Sequence, residues 1–279
     1  MAPAGGGLSA FAGIELARRL ERLEALSGAR FVEARSRISP DLGAGWIEVA
    51  GAYATFDGAA SPVTQTFGLG LFAEPTPADL DRIEAFFQER GAPVCHEVSP
   101  LAGVPLADSL SRRGYRPVEF TSVMYQPLSA PAQSSDPPNR RLRTRLMAEG
   151  EGELWSRVSA RGWAEHPEWT QFLLDLGRVM ASTDGSRCFF AHLDREPIAT
   201  AVLTCHGGVA FFAGASTVPE ARRQGAQRAL LEARMSLAAS QGCDLLMMCA
   251  EPGSASQRNA ERQGFRIAYT RIKWQLAAT

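Results

Sequence analysis

The sequence predicts an α/β protein of two domains with one outline, each a mixed, mostly antiparallel sheet flanked by helices. Three observations predict it. The segment 128–139, LSAPAQSSDPPN, is rich in Pro, Ser and Asp without an apolar period, so it reads as a linker between domains 1–127 and 140–279. The second of these parts alternates helical and strand periods in the order β-α-α-β-β-β-α-β-α-β. The two parts also share an echo, SRRGYRPVEFT at 111–121 against ERQGFRIAYTR at 261–271. Its glycines, Gly114 and Gly264, stand at equivalent places, which reads as a duplicated fold.

The first part opens with an amphipathic helix, GIELARRLERLEALSG. WIEVAGAYATF and VTQTFGLGLF follow as strands. TPADLDRIEAFFQERG is a helix with Thr76 as its cap and Pro77 at its first position. APVCHEVSP is a strand, PLADSLSRRGY a helix and RPVEFTSVMYQPL a strand.

In the second part RLRTRLMA alternates as a short strand, and EGELWSRVSARGWAE and PEWTQFLLDLGRVMAS carry helical spacing, the latter with Pro167 in its first turn. RCFFAHLD, PIATAVLTC and VAFFAGAST are β-rich runs separated by turn signals. The helix GAQRALLEARMSLAASQG turns Ala229, Leu230, Ala233 and Leu237 inward and stops near Gly242. CDLLMMCA is continuously apolar, as a buried parallel strand is. SASQRNAERQG is a short helix and RIAYTRIKWQL a final strand.

Composition narrows the classes. A net charge of −1 over 279 residues gives no field that recruits nucleic acid or an anionic membrane. The arginines of RRLRTRLM lack interleaved aromatics, so neither partner is expected. The five cysteines follow no framework spacing and lie in apolar surroundings, as reduced core thiols do. Cys95-His96 and Cys205-His206 point to opposite faces of their strands, so no metal site is expected. The start lacks a signal-peptide pattern and no run reaches membrane-spanning length, so a cytoplasmic protein is expected, as monomer or homodimer.

Chemistry concentrates at 217–228. A strand feeds a short turn and a helix start bearing Gly225, where unpaired N–H groups and the positive dipole end favour an anion. Arg222 and Arg223 add charge-assisted bonds. The plainer reading is a solvated basic helix start.

Thr217 to Gln227, TVPEARRQGAQ, resembles the acetyl-CoA loop of the GNAT superfamily of acyl-CoA-dependent N-acyltransferases, V-x-P-x-x-[QR]-x-x-G-x-[GA]. Pro219, Arg222 and Gly225 fall on its positions. Thr217 replaces the valine, and Gln227 departs from the small residue. The order of elements in 140–279 and the SQRNAERQGF ending are also similar to the superfamily's. The resemblance implies acetyl-CoA as co-substrate in two GNAT-like domains, of which only the second keeps the loop. Pantetheine is then expected against Ala215, Ser216 and Thr217, in a splay between VAFFAGAST and CDLLMMCA. The diphosphate is expected on Arg223, Gln224, Gly225, Ala226, Gln227 and Arg228, with Arg222 beside them and Ser256 and Asn259 completing the site.

The resemblance also implies a tyrosine where Ala260 stands, so the usual acid is missing. Tyr269 is a candidate replacement, its plainer reading being a half-buried strand aromatic. Glu251 is a candidate base, its plainer reading a loop carboxylate. Trp163, Glu165, His166 and Trp169 are expected to wall the acceptor pocket, or else to form a capped helix junction. The first part lacks an Arg-x-x-Gly turn, and Asp79 and Asp81 at its helix start repel a diphosphate. The expected function is acetyl transfer from acetyl-CoA to a primary amine of a small molecule or peptide. The alternative is a protein that binds acyl-CoA or a small ligand on this fold without catalysis.

Overall fold

A computed structural model describes residues 12–128 and 139–277, so most of the expected linker, 128–139, lies outside the described residues. The first half runs α1 (Ile14–Ile38), β1 (Gly45–Val49), β2 (Ala52–Phe56), β3 (Gln65–Phe67), α2 (Pro77–Gln88), β4 (Cys95–Val98), α3 (Val104–Arg112) and β5 (Tyr115–Pro127). The second runs β6 (Leu142–Leu146), α4 (Gly152–Arg161), α5 (Thr170–Ala181), β7 (Ser186–Leu193), β8 (Glu196–His206) and β9 (Val209–Thr217). It ends with α6 (Ala226–Ser240), β10 (Leu245–Ala250), α7 (Ala255–Arg262) and β11 (Arg266–Leu276). The second half follows the order expected from the periodicities, and the first has one strand more.

Several elements differ in detail. WIEVAGAYATF is a hairpin, because the chain reverses at Ala50-Gly51 and pairs Val49 with Ala52. Only Gln65–Phe67 of VTQTFGLGLF is strand; the chain turns at Gly68 and Gly70, which sends Leu69 and Leu71 into the core. Pro167 opens a short 3-10 turn, and α5 itself begins at Thr170. Helix α1 runs on to Ile38, beyond the segment its periodicity marks.

The eleven strands form one sheet in the order β1-β2-β3-β4-β11-β5-β10-β9-β8-β7-β6. Each half's last strand is inserted beside the other half's strands. β11 pairs antiparallel with β4 of the first half, Ile272 facing Val98, and β5 pairs antiparallel with β10 of the second, Met248 facing Met124. β5 and β11 also pair with each other. The halves are therefore joined by main-chain hydrogen bonds across the sheet, not by a contact between two closed surfaces. The echo glycines Gly114 and Gly264 sit at the turns that launch these two exchanged strands, each after a short helix.

Alternation along the central strands divides the interior. Leu246 of β10 packs with Phe212, Leu230 and Phe265 in the larger core, beneath α6. Leu245, Met247 and Tyr269 pack against Leu20 and Leu23 of α1 on the other face. A buried ion pair, Arg35 to Asp57 at 2.6 Å, extends to Asp175 of α5, also at 2.6 Å, and so anchors the second half's helix layer on α1.

Candidate active-site cleft

β9 and β10 run parallel and pair only from Val209–Leu245 to Phe211–Met247. Beyond that point they part. β10 stays with β5 as far as Ala250–Ser122, while β9 stays with β8 as far as Thr217–Ala199. The register of β9 on β8 slips between Val202–Ala213 and Thr200–Ser216, where Gly214 takes φ 56°. That bulge re-aims the end of β9, and a side chain at Gly214 would meet Met180 and Val202.

After β9 the chain makes a 3-10 turn at Pro219–Ala221, and Arg223 and Gly225 then adopt left-handed φ of 64° and 89°. Gly225 is the N-cap of α6 and has no side-chain cap. The first bond of the helix runs from Ala229 N–H to Gly225 O, so the amides before Ala229 precede the helical ladder. These donors and the helix dipole face a cleft of 790 Å³.

Of the expected cofactor residues, Ala215, Ser216, Thr217, Arg222, Arg223, Gly225, Ala226, Gln227, Arg228, Ser256 and Asn259 all line this cleft. Gln224 does not; Asn139 Nδ2 donates to its side-chain oxygen at 3.4 Å. Arg222 is committed elsewhere. Its Nη1 donates to both oxygens of Glu165, at 2.8 and 2.9 Å, and its Nη2 to Gly162 O at 3.1 Å. Gln227, the departure from the loop pattern, turns back onto β9: Nε2 donates to Ser216 O at 2.9 Å and Thr217 Oγ1 at 2.7 Å, because the parting of β10 leaves that edge of β9 open.

The expected acceptor wall also meets this cleft. Trp163, Glu165 and His166 line it, and Trp169 stacks on His166 with centroids 4.3 Å apart. Trp163 and Trp169 stay 43% and 44% exposed, so they border open space and do not fill the core.

The candidate acid and base are not brought to the cleft. Tyr269 is 7% exposed on the α1 face, and its hydroxyl donates to Glu21 Oε1 at 2.8 Å. Burial, then the Glu21 charge, pushes this phenol well above the usual tyrosine range. Its alternation on β11 aims it away from the cleft, so it is a buried strand aromatic. Glu251 follows β10 directly but is exposed and absent from the cleft lining. Ala260, where the acid of the GNAT pattern would stand, is buried in the cleft wall.

Residues missed by sequence reading form the cleft floor: Phe212, Leu231, Arg234, Met248 and Phe265. Only Arg234 carried a signal, a charge within the apolar stripe Leu230–Leu237 of α6. In the first half, β3 and β4 are the equivalent parallel pair and α2 the equivalent helix. There the helix start is closed: Asp79 N–H donates to Thr76 Oγ1 at 3.2 Å and Thr76 N–H to Asp79 Oδ2 at 2.9 Å. Among the described residues no cluster of His, Cys, Asp and Glu could hold a metal, and no helix is long and apolar enough to cross a membrane.

Residues 139–252 match the family model of an acetyltransferase (GNAT) domain. The whole fold is similar to a GCN5-related N-acetyltransferase from Kribbella flavida, with TM-score 0.60 and 17% identity, covering 89% of this chain and 96% of that one. It is similar to a tandem GNAT protein from the clavulanic acid biosynthesis pathway, with TM-score 0.56 and 13% identity, covering 100% and 98%. It is also similar to a GCN5-related N-acetyltransferase from Sphaerobacter thermophilus, with TM-score 0.53 and 14% identity, covering 95% and 91%. At these identities the structural likeness speaks for the fold, two GNAT-like halves in one chain. Comparison with curated protein sequences finds no match.

Proposed function

We propose that this chain, with a GNAT domain in its second half, is an acyl-CoA-dependent N-acyltransferase whose donor is acetyl-CoA or a close relative. The observation that carries the reading is the uncapped start of α6, opening into a 790 Å³ cleft at the point where β9 and β10 have parted. The amides from Arg223 to Arg228 are suited to a diphosphate, since a helix start combines free N–H donors with a positive dipole end. The free edge of β9 at Ala215–Thr217 is suited to the amides of pantetheine, once Gln227 yields Ser216 O.

In this reading a neutral amine attacks the thioester carbon, a C–N bond forms, and the C–S bond breaks. The thiolate leaves with CoA and takes up a proton, while the amine's proton passes to water. Holding both reactants in one cleft supplies the larger share of the rate, an effect worth about 7–11 kcal/mol in the best cases. A main-chain N–H near the Gly214 bulge is suited to the oxyanion. Trp163, His166 and Trp169 form the acceptor side. The first half, its helix start closed by Thr76 and Asp79, supports the sheet and binds no diphosphate. The protein acts as monomer or homodimer in the cytoplasm.

One observation favours the second reading, acyl-CoA binding without transfer: Ala260 occupies the place of the acid, and neither Tyr269 nor Glu251 reaches the cleft. Thiol release from acetyl-CoA across a panel of amines, with Gly225→Glu as control, decides between them. Turnover abolished by Gly225→Glu is the expected result. Binding of acetyl-CoA with no turnover on any amine supports the second reading, and no binding at all overturns both.

A further inference from the structure

Arg234 is the one charge on the cleft floor that a diphosphate at the helix start does not use. It is 4% exposed on α6, within a stripe that includes Leu230 and Ala238. Nε donates to Leu230 O and Nη1 to Val202 O, each at 3.2 Å, and the guanidinium lies 4.6 Å over the Phe212 ring. Among the described residues no carboxylate pairs with it. Burial lowers its pKa to about 10, which leaves it a cation at neutral pH. A buried cation facing only neutral carbonyls and a ring is undercompensated, because desolvation is repaid in full only by an anion.

Its place in the cleft identifies where that anion would lie. Val202 pairs with Ala213, and Phe212 is the first residue of β9 past the last β9–β10 pair. The guanidinium therefore marks the apex of the splay. Arg234 stands nine residues beyond Gly225 on α6, and its guanidinium folds back to Leu230 O, still more than one helical turn from the helix start. The exposed arginines Arg223 and Arg262 also line the cleft, whereas Arg234 is buried and shares the cleft lining with Leu231, Met248 and Phe265.

We propose that Arg234 is a carboxylate subsite, so that the acyl donor or the acceptor carries a carboxylate close to the thioester. The inference rests on the acyl-CoA reading of this cleft and adds the class of its second charged group. Two sources share the chemistry: a dicarboxylic acyl thioester such as succinyl-CoA, or an α-amino acid acceptor. Either presents a planar anion that a guanidinium fork binds in preference to a neutral acetyl group or a simple amine.

Calorimetry separates the sources. Wild-type protein, Arg234→Gln and Arg234→Lys are titrated with CoA, acetyl-CoA and succinyl-CoA, and CoA-loaded protein with an amino acid and its carboxamide. One carboxylated ligand is expected to bind the wild type about tenfold or more tighter than its neutral counterpart. Arg234→Gln is expected to erase that preference and Arg234→Lys to keep part of it. If CoA binds but neither carboxylate is preferred, the subsite is overturned while the acyl-CoA reading stands. If CoA does not bind the wild type, both fall. The wild-type comparison and Arg234→Lys decide the matter even where Arg234→Gln fails to fold.

Discussion

Arg222, in the turn between β9 and α6, is held through both carboxylate oxygens of Glu165, from the segment between α4 and α5. The turn between β9 and α6 and the aromatic segment between α4 and α5 are thus one connected unit. Both partners are well exposed, 42% and 60% at the side chain, so the pair adds little to stability, at most about 1 kcal/mol. Glu165→Gln is expected to leave the melting temperature within a few degrees and to raise KM for the amine more than KM for acetyl-CoA. Steady-state kinetics with each substrate varied in turn checks this, and an unchanged KM for the amine would refute a role of Glu165 in acceptor binding.

Gly225 stands at φ 89° directly ahead of α6. An L-residue there costs about 1–2 kcal/mol. Gly225→Ala is expected to fold with a lowered melting temperature and to lose most of the stabilisation that CoA confers on the wild type. Thermal melts with and without CoA measure both effects. An undiminished CoA shift in the variant would remove the helix start from the binding site.

The Gln227 carboxamide occupies the β9 edge, donating to Ser216 O and Thr217 Oγ1. A ligand amide that pairs with β9 must displace it. Gln227→Ala, which frees Ser216 O, is expected to tighten CoA binding several-fold in calorimetry. Weaker binding would mean instead that Gln227 holds the ligand.

Glu21 and His96 give opposite dependences of stability on pH. Glu21 is fully buried, and burial, against the pull of Arg271, pushes its carboxyl up to about 7. A raised acid favours folding while it is protonated: its contribution is complete below the unfolded value, about 4.5, and is lost as pH rises to about 7. His96 is pushed down to about 3, first by burial and then by Arg113. Its contribution is complete above about 6.5 and is lost as pH falls toward 3. Glu21→Gln is therefore expected to remove the destabilisation with rising pH between about 5 and 7, leaving a melting temperature that rises with pH there. Melts across that window check the sign; an unchanged profile would show that Glu21 does not titrate in it.

The legible part of this protein was local. Helix α6, its glycine start, the order of ten elements in the second half and the residues of the cleft rim all follow from periods and turn signals a few residues long. Gln227 was legible as a departure from the loop pattern but not as a bridge to β9, since its direction depends on where β10 leaves the sheet.

What the sequence by itself determined is most of the elements and the glycine start of α6, because capping, alternation and the left-handed turn at Gly225 are fixed by near neighbours. What only the tertiary structure decided is which strands meet and which polar groups pair across the sheet. The exchange of β5 and β11 pairs strands from opposite halves of the chain, and no single strand's pattern encodes it. Tyr269 could be read as an acid until the fold set it 2.8 Å from Glu21, 248 residues away in the chain, on the face opposite the cleft. Arg234 became informative for the same reason. Its charge is visible in the sequence, but its burial without a carboxylate partner depends on packing brought together from β8, β9 and α6.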